Sequence, residues 1–142
     1  MPDDARSLSP ERIKHLEFIQ NVITRLGNSS FLIKGWALTI AAAFFAVTAG
    51  KLNWKISLTA LVPVLAFWFL DGYFLWQERL FRCLYDDVRQ PDSNVETLSM
   101  DPRPYRSQVG WVSTTFSATL LAFYGALVLV DCAFIIGGAV RQ

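Results

Sequence analysis

The side chains of this sequence that could do chemistry are charged groups set inside long apolar runs. Lys34, Asp71 and Asp131 are each the single charge-bearing residue of an apolar block, in Phe31 to Gly50, Ile56 to Trp76 and Trp111 to Ala139 respectively. A charge held within a membrane is costly, so such residues pair with one another or mark a gate, an ion path or a ligand contact. Lys34 lies about one turn inside the first block, and Asp71 about one turn inside the second at the same edge of an antiparallel hairpin. Equal depth predicts an ion pair, which either locks the hairpin or serves as a gate or ligand contact at its mouth. Asp131, counted from Trp111, falls near the far end of the third block. It is expected either to be wetted at the interface or to join a ring of carboxylates at the exit of an oligomeric pore, as acids do in cation channels.

A second set is basic. Arg79, Arg82, Arg103, Tyr105 and Arg106 cluster between the second and third blocks. Arginine beside an aromatic ring suits a phosphate- or nucleotide-bearing ligand; the same cluster also serves as a topology signal that meets lipid headgroups. Enzyme chemistry finds little support. His15 is the only histidine, and it is expected on a solvated helix face. Asp71-Gly72 matches the start of a metal-binding signature of membrane phosphatidyltransferases, but the arginine, glycine and aspartates that complete it are missing. No nucleophile sits beside a base, and no phosphate loop or zinc pattern is present. Cys83 and Cys132 lie in different kinds of segment and predict neither a disulfide nor a metal site. The chain is therefore expected to be no enzyme, to carry no cofactor or metal, and to have no nucleic-acid partner.

These groups need elements to position them. Of 142 residues 53% are hydrophobic and 18% charged, and the apolar ones are gathered rather than spread. A hydrocarbon core about 30 Å thick takes roughly 20 helical residues to cross, a length that 31–50, 56–76 and 111–139 all provide. The first block starts too late, after too polar a stretch, for a cleaved secretory signal. Arg6, Arg12, Lys14, Arg25 and Lys34 precede or open the first block, and Arg79, Arg82, Arg89, Arg103 and Arg106 separate the second from the third; only Lys51, Lys55 and Arg141 fall on the other side. Basic residues near spans stay in the cytoplasm, which predicts an inward N-terminus and an outward C-terminus. Trp36, Trp54, Trp76 and Trp111 stand near the span ends, where amphipathic rings meet headgroups.

The expected fold is an all-α integral membrane protein. It has three transmembrane helices, an N-terminal amphipathic cytoplasmic helix, and a second span extended into the cytoplasm. Residues 1–28 hold a polar tail and the amphipathic helix; 29–142 form the transmembrane domain, with an extension and loop at 77–110. Ser9-Pro10-Glu11 is a helix start, and Ile13, Leu16, Ile19, Ile23 and Leu26 form a stripe that ends near Gly27-Asn28. In the first span Gly35, Thr39 and Ala43, and likewise Ala42, Ala46 and Gly50, are spaced by four; Ala118, Ala122 and Ala126 repeat the pattern in the third. Small residues at that spacing allow close helix contact in lipid, and so predict self-association. The second span carries Pro63 at its middle and continues to about Arg89, with Leu80, Leu84 and Val88 as a stripe facing the N-terminal helix. Its Glu78 and Arg82 are four apart and can pair. The proline-broken loop from Pro91 to Gly110 holds Val95, Leu98 and Met100, which could dock it on the helices.

Several strings taken together carry a family likeness. They are His15-Leu16-Glu17-Phe18-Ile19-Gln20, Phe31-Leu32-Ile33-Lys34-Gly35-Trp36, Trp68-Phe69-Leu70-Asp71-Gly72-Tyr73-Phe74-Leu75, Gln77-Glu78-Arg79-Leu80-Phe81-Arg82 and Phe123-Tyr124-Gly125. Over roughly residues 11 to 130 the chain resembles a family of small bacterial three-helix membrane proteins whose genes neighbour TIR-domain or nucleotide-signalling genes in anti-phage clusters. The resemblance implies a homo-oligomeric inner-membrane effector, a pore gated by a cytoplasmic nucleotide signal that a partner enzyme makes. It names no catalytic residue. The alternative expectation is a passive anchor or accessory subunit of a larger membrane complex.

Overall fold

The computed structural model describes residues 9–50 and 54–140. The tail 1–8, Lys51, Asn53 and Arg141 lie outside them. Helix α1 spans Pro10–Gly50, α2 Trp54–Val88, α3 Trp111–Thr115 and α4 Ala118–Val140, with a 3-10 turn at Arg103–Ser107 before α3. No strand occurs among the described residues. Helices α1, α2 and α4 are each long and apolar enough to cross a membrane.

The start of α1 is the one its residues predict. The Ser9 hydroxyl accepts the Arg12 N–H at 3.2 Å, Pro10 takes the first helical position and Glu11 follows in the first turn. Its course differs from expectation. The expected N-terminal helix does not end near Gly27-Asn28 but continues through the first apolar block, giving one helix of 41 residues, about 60 Å long at about 1.5 Å per residue. Glycine ends a helix by taking a positive φ, and no described glycine has one. Gly27 faces Glu78 of α2, where an added Cβ would stand 3.6 Å from Glu78 Oε2, an ordinary contact distance.

The third long helix also departs from 111–139. The Ser113 and Thr114 hydroxyls both donate to the Gly110 carbonyl and that of Thr115 to Trp111, the side-chain competition that weakens a helix ladder. Phe116 leaves helical geometry at φ −99° and ψ 25°, and α4 starts anew with the Leu121 N–H on the Ser117 carbonyl at 2.9 Å. Helix α3 is fixed to α2 instead. Trp68 Nε1–H donates to the Thr115 carbonyl at 3.0 Å, and Gly72 leaves the space that the Thr115 side chain fills.

Helix α2 holds Pro63, where the missing backbone donor leads one to expect a kink, inside one helix that runs on to Val88, close to the expected Arg89, and it lies between the other two. Helices α1 and α4 both pack on it and barely meet, touching where Phe45 stacks on Phe134 with centroids 5.5 Å apart. Ile19 and Ile23 of α1 close on Leu80, Leu84 and Val88 of α2 and on Tyr105, with Val95, Met100 and Val109 of the loop packed around them. Each such side chain, taken from water, contributes about 1.5–3 kcal/mol. The second cluster, Ala37, Ala41, Val64, Leu120, Tyr124 and Leu127, lies between the apolar stretches, where lipid would supply no hydrophobic drive.

A Cβ at Gly72 would come within 2.7 Å of Thr115 Oγ1 and 3.0 Å of its Cγ2. Gly72→Ala should therefore cost about 1–3 kcal/mol, the usual range for overpacking. Adding Thr115→Ala should recover part of the loss, read as the unfolding midpoint in detergent. Equal stability of Gly72→Ala and wild type would show that α3 is not held this closely.

Candidate functional site

Asp71, on the buried face of α2, is fully enclosed. Lys34 Nζ of α1 lies 2.6 Å from its Oδ2 and also donates to Ser30 Oγ at 2.8 Å. The Ser30 hydroxyl in turn donates to Asp71 Oδ1, and Tyr124 OH of α4 donates to Oδ2 at 3.2 Å. One carboxylate thus ties all three long helices together. The ion pair is the one predicted from equal depth. Ser30 was readable as a neighbour of Lys34 because residues four apart share a helix face; nothing in the sequence pointed to Tyr124. The Trp68 ring lies parallel to the Tyr124 ring at 6.0 Å and holds it in place. With its oxygens occupied, Asp71 is a structural acceptor, while Lys34, its side chain 24% exposed, is the accessible edge of the cluster.

Asp131 does not stand near a span end, where it would be wetted or form an exit ring. Because α4 begins at Ala118, Asp131 falls near the helix middle, and it is fully buried with both carboxylate oxygens unpartnered.

The basic set does not converge on one cavity. Arg82 is held by Glu78 through bonds of 3.0 and 2.7 Å, as its spacing predicts, and Arg103 by Asp101 at 2.8–3.0 Å. Arg79 Nη1 reaches Thr114 Oγ1 at 3.4 Å. The Arg106 guanidinium lies 5.5 Å over the Trp76 ring. Tyr105 is buried and donates its hydroxyl to Asp87 Oδ2 at 2.6 Å. Three clefts border this loop: one of ≈ 230 Å³ is lined by Arg12 and His15, and two, of ≈ 460 and ≈ 410 Å³, are lined by Asp86, Asp87 and Asp92 and by Asp87, Asp92, Glu96 and Asp101 respectively. Those carboxylates repel phosphate.

His15 is buried and not solvated as its helix position suggested. Its Nε2 lies 2.7 Å from the Ser99 carbonyl oxygen, an acceptor only, so Nε2 carries the proton. Arg12 donates to the carbonyls of Pro91 and Ser93. Together these contacts tie the loop to α1, a job the sequence does not advertise because the loop's carbonyls are invisible in it. Burial and then the Asp87 hydrogen bond push the Tyr105 phenol up from its usual pKa, so it stays a donor. Burial, and then Asp86, push the Cys83 thiol up as well, away from the thiolate that reactivity requires. Among the described residues no group of three His, Cys, Asp or Glu side chains could hold a metal ion.

No protein-family model matches the chain, and neither a curated protein nor a solved structure matches it.

Lys34→Met leaves Asp71 charged and unpaired, and should cost about 3 kcal/mol; Lys34→Met with Asp71→Leu should recover most of that, since removing both charges of a buried pair is near neutral. Denaturant titration in detergent decides: a double variant no better than the single one would mean that the pair does not carry the effect. The hydrogen bonds from Arg103 hold the Asp101 carboxyl at about 2, against about 3.9 for a free aspartate. The turn is thus fully formed above about pH 4 and loosens only as pH falls through about 2. A carboxyl NMR titration should show this midpoint, moving toward about 3.9 in Arg103→Gln.

Proposed function

We propose that this chain is an integral protein of the bacterial inner membrane that assembles with copies of itself and perturbs that membrane, as an effector of anti-phage defence answering a nucleotide-type signal. On this reading α1, α2 and α4 cross the bilayer. The N-terminus and the α2–α3 loop lie in the cytoplasm with the basic residues, and the C-terminus lies outside.

One observation carries the reading. The small-residue stripes that could bring helices together face away from the three-helix unit. Gly35, Thr39, Ala42, Ala43, Ala46 and Gly50 of α1 are exposed, as are Ala118, Ala122 and Ala126 of α4. A Cβ built on Gly35 or Gly50 would meet nothing within 4 Å. Stripes used inside the chain would be covered; these remain available to another copy, and small-residue faces are how helices associate where lipid removes the hydrophobic drive. With α1 and α4 barely meeting, one copy does not surround an open water-filled channel, so a wide pore needs several copies.

The nucleotide signal rests on the family resemblance, with Arg79 and Arg106 beside Trp76 as the cationic surface it would use. The second reading, a passive anchor or accessory subunit, is favoured by the pairing of Arg82 and Arg103 with carboxylates and by the acidic clefts. These disfavour phosphate at Arg82, at Arg103 and in the two clefts around Asp87.

A potential-sensitive dye tests the two in cells that also express a nucleotide-signalling enzyme. The wild-type chain should depolarise the membrane. Ala43→Leu and Ala122→Leu, at equal membrane abundance, should associate about tenfold more weakly, a loss of about 1.4 kcal/mol, and depolarise correspondingly less. Intact potential with the wild-type chain under active signalling would favour the anchor, and full activity of both variants would show that these faces are not the contact.

A further inference from the structure

Asp131 is the one carboxylate among the described residues with both oxygens buried and without a partner. Its surroundings follow from the contacts that set the helix register. Tyr124 of α4 meets Asp71 of the antiparallel α2, so seven residues farther along α4 Asp131 lies level with Val64. Phe134 meets Phe45 of α1, which puts Ala41 and Ala42 at the level of Asp131. Leu127 precedes it by one turn. No titratable side chain shares this level on α1 or α2. The nearest charged groups are Lys34 on α1 and Asp71 on α2, each about a heptad away and bonded to each other. On α4 itself Tyr124 is engaged with Asp71, and Cys132 follows Asp131 and is partly exposed.

A carboxylate charge in an apolar interior must be neutralised, by a proton, a metal cation or a cationic donor from another chain. No cluster of metal ligands exists among the described residues. A donor from a second chain would have to pass between helices, since Asp131 is 0% exposed. The proton is the ligand small enough to reach it.

We propose that Asp131 is a proton-binding site, and that the membrane perturbation by this chain is a proton flux passing through it. The inference rests on the membrane-effector reading and names the ion that crosses. Polar groups flank Asp131 at about one heptad, roughly 10 Å, on either side. Toward one end lies the Ser30, Lys34, Asp71 and Tyr124 set. Toward the other lie Ser57, buried with an unpartnered hydroxyl, and buried Thr48. Carboxyl groups so placed are what proton relays through membranes use. The step balances simply: a proton adds to a carboxylate oxygen, forming an O–H bond, and the same bond breaks when it leaves on the other side. No electrons move. Each gap exceeds a hydrogen bond of about 3 Å, so a proton crosses it only when the helices part far enough to admit water between them.

The test uses the full chain in liposomes that contain a pH-sensitive dye, with a potassium gradient and valinomycin imposing a potential. It is run without ligand and with a cyclic dinucleotide or cyclic ADP-ribose. The wild-type chain should acidify the interior. Asp131→Asn should slow this about tenfold or more, equivalent to about 1.4 kcal/mol on the barrier, at unchanged helix content and oligomer mass, and Asp131→Glu should keep a measurable part. Without valinomycin a potassium dye should report no entry. A carbodiimide that attacks protonated carboxyl groups in apolar surroundings should modify Asp131 in the wild-type chain and block the flux, a readout that does not depend on a variant folding. The inference is overturned by an Asn variant as fast as wild type, by potassium passing as fast as protons, by an unmodified Asp131, or by an assembled wild-type chain that stays proton-tight under every condition. A monomer with Asp131-dependent flux would remove the self-assembly reading and leave this one standing. An oligomer with Asp131-independent flux would do the reverse.

Discussion

The arrangement of the long helices depends on the need to pair one buried carboxylate. Asp71 sits in an apolar interior where an unpaired charge would cost several kcal/mol, and Lys34, Ser30 and Tyr124 meet that need from the two helices on either side. A buried pair of this kind is not inherently more stable than apolar side chains of the same volume. What it supplies is register. Slide either neighbour by one turn and the carboxylate loses its donor. The Trp68–Tyr124 and Phe45–Phe134 ring contacts fit the register that the pair sets.

On the membrane reading, α1 and α2 work in two solvents. Along their apolar stretches, lipid would leave little drive for helix contact, so polar pairing and close approach at small residues decide the geometry. Beyond those stretches α1 and α2 both overrun a bilayer of about 30 Å, and there the hydrophobic effect returns. Leu80, Leu84 and Val88 meet Ile19 and Ile23. His15, Arg12 and the Tyr105–Asp87 bond draw the loop down over them. Because α1 and α2 are continuous between the two regions, the loop end and Asp71 are carried by the same helices.

Much of this was legible in the sequence, for particular reasons. Equal depth paired Lys34 with Asp71, and three- and four-residue spacing made the Leu80 stripe a face for α1. The uncapped run after Gln77 carried α2 out to Val88. The failures are equally physical. Gly27-Asn28 reads as a helix stop only if glycine takes a positive φ, a tertiary choice; here Gly27 takes none and the helix continues. The Ser-Thr-Thr run at 113–115 hides in an apolar block, and starting the third span at Trp111 displaced Asp131 from the middle of α4 to its end. Tyr124 and His15 found their partners through folding alone, and the arginines that looked like a ligand set proved to be held by neighbouring carboxylates, a hydroxyl and an indole ring.

On the proposed reading, the outward small-residue faces make this a self-assembling membrane protein. The mass of the purified chain in nanodiscs, with and without cyclic and ADP-ribose-type nucleotides, tests it most directly. The account predicts a discrete multiple of the single-chain mass, enlarged or tightened by one nucleotide class. A single chain indifferent to every nucleotide would contradict it and leave the anchor reading.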